Sequence, residues 1–371
     1  MIPARPAGHH TGRCPIPTPG SPGVGHAGRM TGTAHGETAA PRTSRRWRRW
    51  AWLPVGAGLL AAVLTVDPDA VGLAGTPGYL HAVSFRGLTA LGLLGAAVVG
   101  AATLLLPRTG RPWIRLVSTG TLLALALVQG GIVLARGWSA APDTTTAADL
   151  TVVSFNTLHS ATTAEQISGL VVAAGADVVA LPETPAVTAR RAAELLAAQG
   201  LRYQVFHGSD GTGPTQTTSL LVAEGLGGYR QVAAPYMMLG AVRVEPVSGD
   251  GPVLAAVHPP APVAAVGYGT WQHYGGIALD QCRNTGNAVV AGDFNTTVDH
   301  PAFADLGHCV DAATAAGRGA EGTWPSSLPS ALATPIDHVF YTGEQWRVLG
   351  THTERIGGSD HRALVVRLAL R

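Results

Sequence analysis

Three stretches of this chain carry no charged side chain and few polar ones: Trp50–Val66, Gly87–Pro107 and Leu116–Ala135, of 17, 21 and 20 residues. About 20 residues at ~1.5 Å rise are needed to cross a ~30 Å hydrocarbon core. Charges bracket each run closely: Arg49 and Asp67, Arg86 and Arg108, Arg115 and Arg136. Amphipathic helices of a soluble protein keep a polar face at the helical period, and these runs have none. The sequence therefore predicts three transmembrane helices within residues 50–136, the first at the short limit of a span. An arginine-rich flank followed by an apolar run also fits a cleaved signal peptide.

The distribution of charge sets an orientation. All 25 basic residues are Arg, and only 13% of the chain is charged, about half the share in a soluble domain. Arg42, Arg45, Arg46, Arg48 and Arg49 precede the first run, and Arg108, Arg111 and Arg115 lie between the second and third. The opposite side holds only Arg86 and Arg136. Arginine excess marks the cytoplasmic side, so everything after Arg136 is expected outside, with either reading of the first run. Residues 1–49, a basic tail rich in Pro, Gly, Thr and His, cannot bury a core and are expected to be disordered. Met1 and Met30 are alternative starts. Residues 137–149 read as a short polar linker that would hold the domain beyond it close to the headgroups.

From Leu150 the texture changes. Short β-rich runs (150–155, 177–181, 203–206, 219–223, 240–245, 253–257, 288–291, 336–341, 346–351, 363–368) alternate with helical runs at 164–174, 185–198 and 262–281. This pattern predicts a four-layer α/β sandwich, two packed mixed β-sheets flanked by helices, over residues 150–371. The Gly/Thr-rich stretch Gly208–Thr218 lacks an apolar anchor and reads as a mobile loop. Cys282 and Cys309 are open between a disulfide and two buried thiols.

Residue types suited to phosphate chemistry stand just past predicted strand ends: Asn156 (SFN), Glu183 (LPE), His258 (VHPP), Asp293 and Asn295 (GDFN), Asp337 (IDHV), and Ser359, Asp360 and His361 (GSDH). Each short motif alone is compatible with a turn or a helix start. Together they suit phosphoester hydrolysis, which needs neutralised phosphate charge, an activated water and a stabilised leaving group. Glu183 is a hard oxygen ligand suited to Mg2+ or Mn2+, with Asn156 and Asp360 as further ligands. Asp293 can orient or deprotonate water, and Asn295 can donate to a phosphate oxygen. His361 as imidazolium can stabilise the pentacovalent phosphate, with Asp337 holding it protonated. His338 would point to the opposite strand face and reads as structural. Arg243 reads as a surface ion pair, and Tyr268, Trp271 and Tyr274, at helical spacing, as core.

The order of these motifs resembles the endonuclease/exonuclease/phosphatase superfamily, the DNase I-like fold, over about residues 150–371. The Thr323–Trp324 pair is similar to that family's Thr-Trp segment. The resemblance implies a metal-dependent phosphohydrolase or phosphodiesterase in which His258 is a phosphate-binding or general-acid group. Helical spans followed by such a domain resemble bacterial membrane proteins of the teicoplanin-resistance type. That resemblance implies a lipid-phosphate substrate at the membrane surface, a polyprenyl phosphate or pyrophosphate, with phospholipase C-type activity close behind. A surface nuclease is the alternative, disfavoured because residues 150–371 carry 12 Arg against 18 acids, no basic footprint for nucleic acid. An inactive scaffold is the third reading. A basic groove or an apolar rim around the motifs distinguishes nuclease from lipid enzyme. No obligate protein partner is evident.

Overall fold

The computed structural model describes residues 52–106, 112–138, 143 and 145–371. The expected tail, residues 1–49, lies outside them. Residues 51–371 form one compact unit.

The unit begins with α1 (Leu53–Leu64), α2 (Tyr79–Ser84), α3 (Arg86–Leu104) and α4 (Pro112–Ala135). Among the described residues, α3 and α4 are long and apolar enough to cross a membrane. Both expose leucines and valines along their length, including Leu91, Val98, Val99, Leu116 and Leu127. α1, with 12 residues, rises only ~18 Å at ~1.5 Å per residue. The first apolar run is thus a shorter helix than expected, and a ~30 Å crossing is matched only by the other two.

Residues 150–371 fold as two six-stranded sheets. The first has the order β11-β12-β1-β2-β4-β3, with β1 Leu150–Ser154, β2 Val178–Pro182, β3 Tyr203–Ser209, β4 Thr217–Ala223, β11 Trp346–Arg355 and β12 Arg362–Leu370. The second has the order β5-β6-β7-β8-β10-β9, with β5 Tyr229–Val232, β6 Ala241–Pro246, β7 Val253–Val257, β8 Ala288–Asp293, β9 Cys309–Asp311 and β10 Asp337–Thr342. Each sheet is mixed, with one parallel pair, β1/β2 and β7/β8. Alternate apolar residues of both sheets, among them Val152, Leu220, Val242, Val289, Val339 and Val366, fill the space between them. α5 (Ala164–Ala174) and α6 (Ala186–Ala197) cover the first sheet's outer face. α7 (Tyr268–Arg283) covers the second through Ala278, Leu279 and Cys282, packed with Phe294, Phe303 and Phe340. The α/β sandwich expected from the sequence is the fold observed.

The sequence missed β5 and β9, of four and three residues, too short for a visible alternation. Gly208–Thr218 is not an open loop throughout. Its ends extend the β3/β4 hairpin, pairing Gly208 with Thr218 and Ser209 with Thr217, and Pro214–Gln216 forms a single tight turn. Cross-strand backbone bonding supplies there the order that side chains do not. The expected helix over 262–281 starts later, at Tyr268, because Pro262 and the turn at 263–267 delay it. Cys282 and Cys309 are joined in a disulfide that ties α7 to β9.

The apolar helices are riveted to the sandwich. The Asp299 carboxylate, nearly buried, receives Arg86 at the start of α3 at 2.8 Å, and Arg136 just past α4. Arg86 also donates to Gln129 Oε1 at 2.6 Å, and Gln129, fully buried within α4, donates to Thr65 O at 2.9 Å. Backbone bonds join Arg136 O to Gly319 N and Gly137 O to Ala320 N. Farther along, Arg367 donates to the carbonyls of Asp143 and Thr146. The described residues of the 137–149 stretch are therefore pinned to the sandwich. Replacing Asp299 by Asn leaves two guanidiniums packed without their shared counter-charge, a loss of about 3–5 kcal/mol for a broken buried pair. The expected outcome is a fall of roughly 6–20 °C in the thermal midpoint of the detergent-solubilised chain, at roughly 2–4 °C per kcal/mol for a domain of this size; an unchanged midpoint would show that Asp299 does not hold the helices.

Candidate active site

Sheet topology explains why residues far apart in sequence meet. In each parallel pair the two strands end at the same edge, so β1 and β2 deliver Asn156 and Glu183 together, and β7 and β8 deliver His258 and Asp293. The antiparallel neighbours begin at that edge: β10 at Asp337, directly opposite Asp293 in register, and β12 just after His361. Gly292 permits the closest approach. A Cβ there would lie 2.0 Å from Val257 O on β7, so a side chain would force β7 and β8 apart and separate His258 from Asp293.

The polar groups form one continuous cluster. Asn156 Nδ2 donates to Glu183 Oε1 at 3.1 Å and to Asp293 Oδ2 at 3.0 Å. Asn156 itself is oriented by Leu158 N–H, donating to its Oδ1 at 2.9 Å. His258 Nε2 stands 3.7 Å from Asp293 Oδ2 and 4.0 Å from Glu183 Oε1. His361 Nε2 stands 3.6 Å from the same Asp293 oxygen, and His361 Nδ1 donates to Asp337 Oδ2 at 2.8 Å. Asp360 accepts from Trp324 Nε1 at 2.8 Å through Oδ2, while its buried Oδ1 accepts no hydrogen bond. Asn295 donates one amide proton to Pro259 O, leaving the other for a ligand. All eight expected side chains are at this edge, and all but Asp337 line one cavity of about 420 Å³. Asp337 sits behind His361, its side chain fully buried.

Local backbone serves this convergence. Glu183 and Asn295 adopt left-handed φ values of 59° and 49°, and Leu158, His159 and Ser160 form a consecutive left-handed turn. Such conformations are costly for side-chain-bearing residues. Here His159 N–H donates to Glu183 Oε2 at 2.7 Å, and Asp293 Oδ1 accepts from Asn295 N–H at 2.9 Å. The turns thus aim backbone donors at the carboxylates.

Electrostatics divides the two histidines. Burial, reinforced by the nearby His361, pushes His258 down to about 3, so it is neutral. Burial also opposes charging of His361, but Asp337 and Asp293 outweigh it and lift His361 to about 9. His361 is therefore an imidazolium at neutral pH. Burial raises the Asp293 carboxyl, with Asp337 adding to it against the pull of His361. A neutral His258 suits hydrogen bonding to phosphate better than general-acid work, which narrows the expectation from sequence.

The donor set fits a divalent cation. Glu183, Asp293 and Asp360 bring carboxylates to a cavity that holds no arginine in its wall, and Asp360 Oδ1 is buried without a donor. Asn156 joins Glu183 to Asp293 directly, whereas Asp360 approaches from the far side, beside Trp324. Asp293, Asp337 and His361 also bring ligand-type atoms within 4.8 Å of one another, but His361, protonated and bonded to Asp337, stands there as a cation and not as a ligand. His338 sits on the opposite face, bonded to Asp311 and Thr296 O, both at 2.9 Å, and is structural. Trp271 is fully buried in the core, as expected, and donates to Asn295 O. Arg243 pairs with Glu245 at 3.8 Å.

Sequence reasoning missed His159, whose Nε2 lies 3.2 Å from Glu183 Oε2, and three cavity residues before the sandwich, His81, Ser84 and Phe85. His159 was detectable as the histidine three residues after Asn156. The other three lie in an ordinary connecting segment and carry no signal of their own.

The pattern that defines the Endonuclease/Exonuclease/phosphatase family matches residues 153–361. The chain belongs to this family. Its members hydrolyse phosphoester bonds and generally use a divalent metal. Among solved structures, an endonuclease/exonuclease/phosphatase from Beutenbergia cavernae is 24% identical, with 60% of this chain and 72% of that one covered and a TM-score of 0.45. A humanized D. rerio TDP2 is 15% identical over 59% of this chain and 98% of its own, with a TM-score of 0.47. The human Nocturnin catalytic domain with bound sulfate is 16% identical over 60% and 94%, with a TM-score of 0.44. No curated protein matches the chain.

The His361 proton gives a sign-definite prediction for the metal-free protein. Its folded value of about 9 lies above the ordinary 6.5, so its contribution to stability is complete below about pH 6.5 and is lost as pH rises to about 9. Asp337→Asn should lower the His361 midpoint in an NMR titration and flatten that alkaline decline; an unmoved midpoint would remove Asp337 as the partner.

Proposed function

We propose that this chain is a membrane-anchored, metal-dependent phosphoester hydrolase whose domain at 150–371 faces outside the cytoplasm and acts on a lipid-linked phosphate or pyrophosphate. The observation that carries the proposal is the cavity wall. Above the polar cluster it is apolar and aromatic, with Phe85, Leu158, Leu239, Val263, Trp324 and Ile336, and it contains no arginine. A nuclease tracks a polyanion with rows of basic side chains, and this cavity offers no arginine and only the His361 imidazolium beside the carboxylates. An apolar wall beside a phosphate-binding cluster suits a phosphate carried on a hydrocarbon chain.

Three features support the location. The arginine asymmetry favours a domain outside the cytoplasm. The two arginines on the outer side, Arg86 and Arg136, are consumed by Asp299. The Cys282–Cys309 disulfide suits an oxidising compartment. α3 and α4 form the anchor in this reading, in keeping with the resemblance to the teicoplanin-resistance type.

Glu183, Asn156 and Asp360 would hold Mg2+ or Mn2+, with Asp293 alongside; the bound ion supplies Lewis-acid neutralisation of phosphate charge. Asp293 Oδ2, raised by burial, takes a proton from the water whose oxygen bonds to phosphorus as the P–O bond to the leaving group breaks, and passes that proton to the departing oxygen. The imidazolium of His361 donates from Nε2 to a phosphate oxygen while Asp337 holds Nδ1. Neutral His258 and the free amide proton of Asn295 hold further oxygens.

The test is the purified full-length chain in detergent with Mg2+, offered polyprenyl phosphate, polyprenyl pyrophosphate, phospholipid micelles and DNA in parallel. Phosphate release from a polyprenyl substrate, with DNA untouched, is expected; DNA cleavage alone would favour the nuclease. His361→Ala and Asp293→Ala should each reduce turnover by roughly 10²–10⁴-fold, the range for a lost acid or base. Chelation should abolish turnover, and Mg2+ or Mn2+ should restore it.

A further inference from the structure

The segment between α1 and α3 does more than connect two helices. Its short helix α2 and the corner after it pack on the sandwich: Leu80 and Val83 are buried. His300 fixes them. Its Nδ1 accepts from Thr297 N–H at 2.9 Å, so Nε2 carries the proton and donates to Leu80 O at 3.2 Å. Burial holds His300 at about 4, keeping it in this neutral form. Asp299, the preceding residue, anchors Arg86, the first residue of α3. A Cβ on Gly87 would stand 2.2 Å from Ala331 O, so the start of α3 lies directly on the sandwich backbone.

Phe85 is held between these two fixed points. It projects into the wall of the cavity, with its ring centroid 5.9 Å from that of Trp324. Trp324 is bonded in turn to Asp360, beside His361. Phe85 also immediately precedes the apolar helix Arg86–Leu104. If that helix spans the bilayer, Phe85 sits at its interfacial end.

We infer that Phe85, with Trp324, forms the wall that receives the hydrocarbon chain of the substrate next to its phosphate, making the α2–α3 corner the specificity element of the site. This rests on the lipid-phosphate reading. An occupant entering from the bilayer meets Phe85 on passing from the end of α3 to the polar cluster. Both aromatic rings offer apolar surface there and neither offers charge. A soluble phosphate of the same headgroup gains nothing from the contact.

The experiment compares, for the full-length chain in detergent, kcat/KM on a long-chain polyprenyl phosphate with that on a single-isoprene phosphate. Losing a buried aromatic contact is expected to lower the long-to-short ratio about tenfold or more in Phe85→Ala. Phe85→Leu, which restores apolar volume, should recover most of it. The ratio cancels any general damage passed through Trp324 to Asp360. Independently of turnover, a photoreactive phenylalanine at position 85 should crosslink to the long-chain lipid and not to the short one. An unchanged ratio in Phe85→Ala, or an absent crosslink while the wild type cleaves long-chain lipid, overturns the inference about Phe85 and leaves the lipid-phosphate reading standing. A wild type that cleaves DNA and no lipid phosphate removes that reading, and the inference with it.

Discussion

A carboxylate with almost no access to water, Asp299, sets the relation between the apolar helices and the sandwich. Burying an ion is unfavourable unless opposite charge and hydrogen bonds replace its hydration. Arg86 and Arg136 provide that replacement, and they are the residues where α3 begins and α4 has just ended. Satisfying Asp299 therefore brings both helix ends to the same point on the sandwich. Asp299 lies six residues after Asp293, on the loop leaving β8, and its neighbour His300 grips α2. The loop that leaves the strand bearing Asp293 is the loop that holds the helices.

That coupling matters because the cluster itself is electrostatically demanding. Glu183, Asp293, Asp337 and Asp360 crowd one edge of the two sheets. The protein offsets part of this with the His361 imidazolium and with the Asn156 amide, shared between Glu183 and Asp293. No arginine in the wall completes the neutralisation, which suits the divalent metal that the family generally uses. A rigid edge is needed to hold like charges this close. The register of β8 with β10, which sets Asp337 opposite Asp293, provides it through backbone bonds that side-chain repulsion cannot easily break.

Much of this was legible in the sequence, for physical reasons. Runs such as Val253–Val257 and Ala164–Ala174 declare themselves by β-branching or by helical period, and they occur with those bounds. The site residues were legible because the chemistry restricts residue type and the fold puts each type just beyond a strand. The spatial partners of those residues were not. Nothing in the letters of Asp299 distinguishes it from a surface aspartate, because its meaning depends on two arginines more than a hundred residues upstream. Phe85 likewise reads as one apolar residue beside an apolar run. Strands β5 and β9 were too short to show a period, and Gly208–Thr218 has a composition that suits a loop while its ends pair in the β3/β4 hairpin.

The position of the cavity is a consequence of these constraints taken together. The proposed action on membrane-borne phosphates calls for dry, apolar surface for the chain and charged, hydrated surface for the headgroup within a few ångströms. A sandwich edge alone supplies the second, since loops at strand ends are polar and turn-rich. The first has to come from elsewhere, and here the segment leading into α3 brings Phe85, Ser84 and His81 to the wall. A flexible tether would raise the local concentration of substrate but would leave this wall open. Fixing the corner through Asp299 and His300 holds the apolar side of the cavity in place, as the proposed sorting of chain from headgroup requires.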